Sequence, residues 1–338
     1  MVDLGHGDAA TAPAQAPRLT LPGWLRDASQ TQRALSALIL LSLYNAFFTT
    51  NFLTWATLRV NLTQVATIVI VGVGMTLVIA TGGIDLSVGA LAAIAGMIAP
   101  KIFISDRALL DSPWVAVPLA IVVPVLVAGG FGVFNGTLVT AFRIQPIIAT
   151  LVLFLGGRGI AKALSNGNLV AFHNPSFDYI GTGRPLGIPV QVILMAVIVV
   201  VASWAMRRTT FGRYILATGG NEAAARLAGV PVDRTKVAVY TISGLLAGLA
   251  GLIVISLNTS ADPNSIGVNM ELDAIAAAAV GGTVLTGGRA TVVGTLIGAC
   301  IIHQIRYTLI SHGVADGTTR IVVAITIILA VLLQRRGD

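Results

Sequence analysis

Few residues in this chain carry chemistry, and the most isolated is Asp85. Outward from it the nearest charges are Arg59 and Lys101, so one carboxylate sits among about forty uncharged, mostly apolar residues. At the centre of a bilayer an ionised Asp costs roughly 2.5–3.5 kcal/mol on insertion scales. Gly82-Gly83 just before it breaks a helix, and Asp85 and Ser87 are good N-cap types for the helix that follows. Asp85 is therefore either a structural cap at a buried break or a polar element of a pathway or gate. Glu271 and Asp273 follow "NTSADPNSIGVNM". They read as acids in a first helical turn, favoured by the helix dipole, or as groups facing a substrate or partner. Arg158 and Lys162 lie one turn apart on one helix face. They are expected to snorkel toward the outer interface, with pairing of Arg158 to an acid such as Glu271 as the alternative. His303 reads as a hydrogen-bonded packing residue on the same helix as Arg306.

No catalytic set emerges from these groups. The four histidines contain no His-x-x-x-His pair, and there is no Gly-x-Ser-x-Gly. A Gly-x-x-x-x-Gly-Lys-Ser/Thr phosphate loop is absent too, so any ATP chemistry belongs to another chain. The single cysteine, Cys300, lies in an apolar run with no metal-ligand spacing around it. Neither a metal nor a cofactor is expected on this chain.

What must position these residues is a membrane bundle. The chain is 55% hydrophobic and 10% charged, against about a quarter charged in soluble domains. Its 37 glycines suit close helix packing in lipid. The net charge of +7 serves orientation first and does not call for nucleic acid.

A spanning helix needs about 20 mostly apolar residues. Charge-free runs place spans at Ala34–Leu58, at Val60–Pro100 (two spans, broken at Thr81-Gly82-Gly83), at Ser112–Phe142 and at Ile147–Leu164. Further spans are expected at Pro189–Met206, Val237–Leu257, Glu271–Leu285, Ala290–Ile310 and Thr319–Leu333, with a hinge at Thr286-Gly287-Gly288. The expectation is an all-α polytopic membrane protein of about ten transmembrane helices. Residues 1–33 read as a flexible cytoplasmic tail without a signal peptide's apolar core, 34–334 as the transmembrane domain and 335–338 as a cytoplasmic C-terminus. Ten spans put both termini on one side. Thirteen of the 21 Lys and Arg residues fall on that side, which makes it the cytoplasm.

"TGGIDLSVGAL" and "TGGRATVVGTL" share Thr-Gly-Gly, a Gly six residues on and a Leu two later, at an offset of 205 residues. Both would sit in the same orientation, whereas inverted repeats need opposite ones. The likeness is read as two hairpins turned the same way.

The most polar internal segment is 207–236, on the cytoplasmic side. Asn221 can cap a helix there, Ala223 to Ala225 propagate it, and Gly229 with Pro231 ends it. A short Ala-rich helix in a basic loop lets another surface come close. Docking into a partner is the preferred reading, with a helix lying on lipid as the alternative.

Four stretches, "GVGMTLVIATGGIDLSVGALAAIAG", "IQPIIATLVLFLGGRGIA", "GRYILATGGNEAAARLAGVPVDRTK" and "ELDAIAAAAVGGTVLTGGRATVVGTLIGA", resemble the ribose/xylose/arabinose/galactofuranose permeases of bacterial ABC importers. The resemblance covers residues 35–335 and keeps the motif order. It implies a bundle similar to the vitamin- and iron-chelate-type importer permeases. It also implies a second permease copy or related chain, a cytoplasmic sugar ATPase that holds ATP and Mg, and a periplasmic sugar-binding protein. The setting would be the bacterial inner membrane.

The family's coupling helix, carried onto this sequence, is Gly220, Asn221, Glu222, Ala224, Ala225 and Gly229. In the better-known importer motif Glu-Ala-Ala-x-x-x-Gly, the Glu would stand one residue later than Glu222 does. In the last span relatives often carry a Gln and a Lys where Arg320 and Val323 stand here.

The implied mechanism is alternating access, with the binding protein docking near 165–188 and 258–270. A neutral sugar needs hydroxyl and amide partners, and Asn135, Gln145, Thr150 and Asn258 are candidates beside Asp85 and Ser87. Arg158, Glu271, Asp273 and Arg320 form a candidate charge network. The alternatives are a secondary transporter using Asp85 or Glu271 as its H⁺ or Na⁺ site, a branched-chain amino-acid permease within the ABC class, and, least supported, an intramembrane enzyme.

Overall fold

The computed structural model describes residues 30–104 and 112–335. The expected tail lies outside the described residues up to position 29, and so does the expected C-terminus from 336. The helices are α1 (Gln30–Phe48), α2 (Trp55–Ala80), α3 (Val88–Phe103), α4 (Pro113–Thr140) and α5 (Pro146–Ala163). After them come α6 (Pro175–Thr182), α7 (Val190–Arg208), α8 (Thr210–Gly220), α9 (Glu222–Leu227) and α10 (Val232–Asn258). The last three are α11 (Met270–Val280), α12 (Val292–Ser311) and α13 (Asp316–Arg335). Two-residue strands, β1 (Val170–Ala171) and β2 (Ser260–Ala261), pair antiparallel and tie the loop after α5 to the one after α10.

Among the described residues six helices, α2, α4, α5, α7, α10 and α12, are long and apolar enough to cross a membrane by length and composition. The chain is a helical, polytopic membrane protein. The core is built around α3 and α10. Residues Val88 to Ala95 are buried all round the helix. A Cβ at Gly244 or Gly251 of α10 would overlap the carbonyl oxygens of Ala128 on α4 and Ala92 on α3. Such backbone-close packing is how helices associate where lipid removes the hydrophobic drive between them. By contrast α4, α5 and α7 leave Leu126, Leu155 and Val200 exposed, as a lipid-facing surface does.

Several boundaries differ from those expected of charge-free runs. The run Ala34–Leu58 is not one helix: α1 stops at Phe48, Asn51 takes φ 59°, and Thr54 caps α2 by accepting from the Thr57 N–H. This break contains no charged residue, so a criterion based on charge passes over it. Segment 207–236 is mostly helix rather than loop. It contains α8, and α10 begins at Val232, five residues before the expected Val237. The run Glu271–Leu285 ends as helix at Val280, because Gly281 and Gly282 (φ 93°) turn the chain before the expected Thr286 hinge. At 11 residues α11 is about 16 Å long, half a membrane's apolar thickness.

Candidate functional site

The first break, 81–87, is held by side chains from three other helices. Helix α2 ends at Ala80, and Gly82 (φ 82°) gives the N–H that closes the turn onto the Ile79 carbonyl at 2.8 Å. Asp85 is fully buried. Its Oδ1 accepts from the Ser87 N–H at 3.0 Å and the Ser87 hydroxyl at 2.6 Å, and its Oδ2 accepts from the Ser243 hydroxyl of α10 at 2.8 Å. Asn135 of α4 donates to Ser87 Oγ at 2.8 Å. Thr150 of α5 accepts from the Leu86 N–H at 3.1 Å and donates to the Ile84 carbonyl at 3.3 Å. Four expected residues, Asp85, Ser87, Asn135 and Thr150, thus converge on one sealed cluster. One detail differs from the cap expected: Ser87, not Asp85, occupies the N-cap position of α3. Asp85 reaches forward to the Ser87 N–H and sideways to α10, so three donors offset its burial.

Arg158 corrects a second expectation. It does not snorkel outward. Its guanidinium turns inward and donates to the carbonyls of Ile266 and Gly267. That loop enters the bundle, with Ile266 buried, and irregular backbone at membrane depth must be satisfied by protein groups. Glu271 is also buried and close enough to Arg158 to feel its charge. Gly89 of α3 makes room for both: a Cβ there would overlap the Gly267 carbonyl oxygen and Glu271 Oε2. Lys162, by contrast, is exposed.

The expected charge network separates into distinct units. Asp273 pairs with Arg306 of α12 at 3.0 Å, and Arg320 pairs with Asp316 one turn earlier on α13 at 2.8 Å. Those two pairs share a cavity of about 370 Å³, apart from the Arg158–Glu271 loop clamp. His303 packs as read, with Nε2 3.0 Å from Asn61 Oδ1. Gln145 and Asn258 do not join the Asp85 cluster. Gln145 is exposed beside Glu222 and Lys236 in a cavity of about 450 Å³. Asn258 lies at the far end of α10, in a cavity of about 470 Å³ with Arg59, Gln64 and Arg184.

The third region is α9. Asn221 caps it, its Oδ1 accepting from the Ala224 N–H at 2.9 Å, and Gly229 (φ 78°) turns the chain out of it. Glu222 receives Arg226 at 2.9 Å and Lys236 at 2.6 Å, and Arg226 also reaches Asp233 at 2.5 Å. These bonds lash α9 to the start of α10. Burial pulls the Glu222 carboxyl upward, but the hydrogen bonds from Lys236 and Arg226 hold it below the ordinary carboxylate range. Glu222 is thereby occupied within its own chain. What α9 presents outward is Ala223, Ala224 and above all Leu227, 91% exposed. Leu227 and the tether residues Arg226, Asp233 and Lys236 were not singled out by sequence, although their spacing around Asn221 and Pro231 was visible. Ser243 had no signal, being one small residue in a Gly/Leu-rich helix.

Among the described residues no group of three or more His, Cys, Asp or Glu side chains could hold a metal ion. The arrangement offers helix breaks, buried polar contacts and a short tethered helix with an exposed outer face.

Comparison with known proteins agrees. The family described as "Branched-chain amino acid transport system / permease component" matches residues 35–331. The Ribose import permease protein RbsC of Escherichia coli (strain K12) is 40% identical over 318 residues, 93% of this chain and 95% of that protein. The Galactofuranose transporter permease protein YtfT of the same strain is 36% identical, over 81% of this chain and 78% of its own. The Fructose import permease protein FruF of Bifidobacterium longum (strain NCC 2705) is 35% identical, over 81% and 76%. No solved structure matches the chain.

Proposed function

Because the chain belongs to this family of transport-system permease components, we propose that it is the membrane subunit of an ATP-driven importer that moves a monosaccharide. The observation that carries the substrate class is the likeness, over most of the chain, to permeases named for ribose, galactofuranose and fructose. In this reading α1–α5, α7 and α10–α13 are ten membrane helices in a bacterial inner membrane, arranged like the vitamin- and iron-chelate-type permeases. Both termini and α9 face the cytoplasm. The chain binds no cofactor of its own. ATP and Mg belong to a partner ATPase, and a second permease copy or related chain completes the pathway.

The tethered helix α9 supports the ATPase partnership. Its exposed Leu227 is an apolar knob on a short rigid helix, a form that fits a groove in another protein. Glu222 and Arg226 serve the tether, and Asn221 and Gly229 set the helix ends. At the opposite end of the bundle, the β1–β2 loops receive a sugar-loaded binding protein. Asp85, Ser87, Asn135 and Thr150 shape a gate at the first break, and Gln145 and Asn258 sit at the two mouths of the path. A neutral cargo needs no fixed counter-charge along it.

The test is uptake by cells carrying the chain together with a sugar-importer ATPase and binding protein. Labelled ribose, galactose and fructose are compared with labelled isoleucine, since the family description names branched-chain amino acids. Uptake of a sugar that vanishes when this chain is deleted is expected. Uptake of isoleucine alone would move the reading to amino-acid transport.

A further inference from the structure

Thr-Gly-Gly occurs three times in the chain, at Thr81-Gly82-Gly83, Thr218-Gly219-Gly220 and Thr286-Gly287-Gly288. The three triplets lie far apart in sequence and meet at one point in the fold. The Gly288 N–H donates to the carbonyl of Ala80, the last residue of α2, at 3.1 Å. Gly219, near the end of α8, lies flush on that same bond: a Cβ there would overlap the Ala80 oxygen and come within 2.6 Å of the Gly288 nitrogen. A Cβ on Gly287 would stand 2.8 Å from the Gly82 nitrogen and 2.9 Å from the Gly219 oxygen. Three backbones therefore touch with no side chain between them. A backbone contact has no rotamers to absorb a displacement, so a shift of one segment must move or break the others.

The segment that brings Gly219 there is stiff. Ile215 and Thr218 bury the inner face of α8. One residue, Asn221, joins α8 to α9 and caps α9, so the joint has no slack. The ion pairs then lash α9 to α10. Helix α10 grips the other side of the first break, through Ser243 on Asp85 and Tyr240 packed against Gly83.

We infer that Gly219 is a positioning residue of the transport cycle: through it, displacement of α9 reaches both glycine breaks at once. The inference rests on the reading of α9 as the surface that an ATPase moves. The matched control is Gly156 on the exposed face of α5, because a Cβ there would also meet nothing within 4 Å.

The experiment is reconstitution of the chain with its ATPase and binding protein in proteoliposomes, measuring sugar taken up per ATP hydrolysed. Gly219→Ala is expected to retain ATPase binding and hydrolysis while the ratio falls about tenfold or more, within the usual range of coupling energies. Gly156→Ala is expected to keep the wild-type ratio. A wild-type ratio in Gly219→Ala, or an equal fall in Gly156→Ala, overturns the inference and leaves the reading of α9 intact. ATPase-independent uptake by the wild type would overturn that reading, and the inference with it. Should Gly219→Ala not fold, hydrogen exchange on the wild-type complex decides. Peptides spanning 78–87 and 281–291 are expected to change exchange when the ATPase is trapped with nucleotide and vanadate. A change confined to α9 overturns the inference.

Discussion

The two breaks each contain a Thr-Gly-Gly triplet and are stabilised in different ways. At 81–87 the chain is unwound beside a carboxylate, and its polar groups are met by side chains from α4, α5 and α10. The turn between α11 and α12 has no carboxylate and closes on itself. Thr283 N–H donates to Ala278, Val284 N–H to Arg289 and Gly287 N–H to Val284, all at 2.9–3.1 Å, with positive φ at Gly282, Gly287 and Gly288. Thr291 then caps α12, accepting from the Gly294 N–H at 3.1 Å. Backbone at membrane depth must be satisfied within the protein. The first break meets that demand largely with long-range side-chain contacts, the second with local backbone and the one long-range bond from Gly288 N–H to Ala80. A break held from afar can respond to movements of its holders, whereas a self-closed turn moves as a unit.

Substitutions can break this contrast. Asp85→Leu has the largest expected effect. It orphans the Ser87 N–H and the Ser87 and Ser243 hydroxyls, each costing about 1–3 kcal/mol when buried unpaired. Loss of monodisperse protein in detergent is the expected readout. Asp85→Asn keeps one acceptor oxygen and should fold and transport partly. If both variants take up sugar at near-normal rates, the first break does not depend on its carboxylate. Next is Gly281→Ala, whose Cβ would overlap the Gly294 carbonyl. It should lower the thermal midpoint through overpacking of about 1–3 kcal/mol, with no dependence on Asp85. Non-additivity with Asp85→Asn would show the breaks to be one unit in stability. Thr291→Ala should cost about 1 kcal/mol, the usual value for a lost cap.

The smallest effect is a pH dependence at α9. The Glu222 carboxyl is held below its ordinary value of 4.5, so its contribution is complete at neutral pH and lost as pH falls through the depressed value. Hydrogen exchange in α9 should be flat from about pH 8 to 5, after allowance for the intrinsic rate, and rise only in stronger acid. In Glu222→Gln that acid step should shrink, the remainder belonging to Asp233, whose carboxyl the Arg226 hydrogen bond also holds low. The change is small because Glu222 is 43% exposed and its ion pairs are screened by solvent.

Much of this arrangement is legible in sequence, for physical reasons. Gly82-Gly83 marks the end of α2 because glycine is the poorest helix former after proline, and the Asn221–Gly229 bracket delimits α9 by its capping chemistry. Two features resist such reading. Arg158 and Lys162 share a face by spacing, yet only the return of loop 262–269 into the bundle decides that Arg158 turns inward. Helix α8 hides in "TFGRYILATGG", whose glycines argue against helix until tertiary packing overrides them. The Thr81 and Thr286 triplets are alike in sequence, and the likeness alone fits two hairpins turned the same way. Its structural counterpart is a contact between them, with a third copy at Thr218 placed there by α8.

The central claim is that this permease moves sugar at the expense of ATP hydrolysed by another chain. The most direct measurement is uptake of labelled sugar into proteoliposomes holding the chain, its ATPase and ATP, with loaded binding protein supplied at the opposite face. The account predicts uptake that requires both partners and hydrolysable ATP, and that persists when ionophores collapse the H⁺ and Na⁺ gradients. Uptake by the chain alone, driven by an ion gradient and abolished by Asp85→Asn or Glu271→Gln, would contradict it.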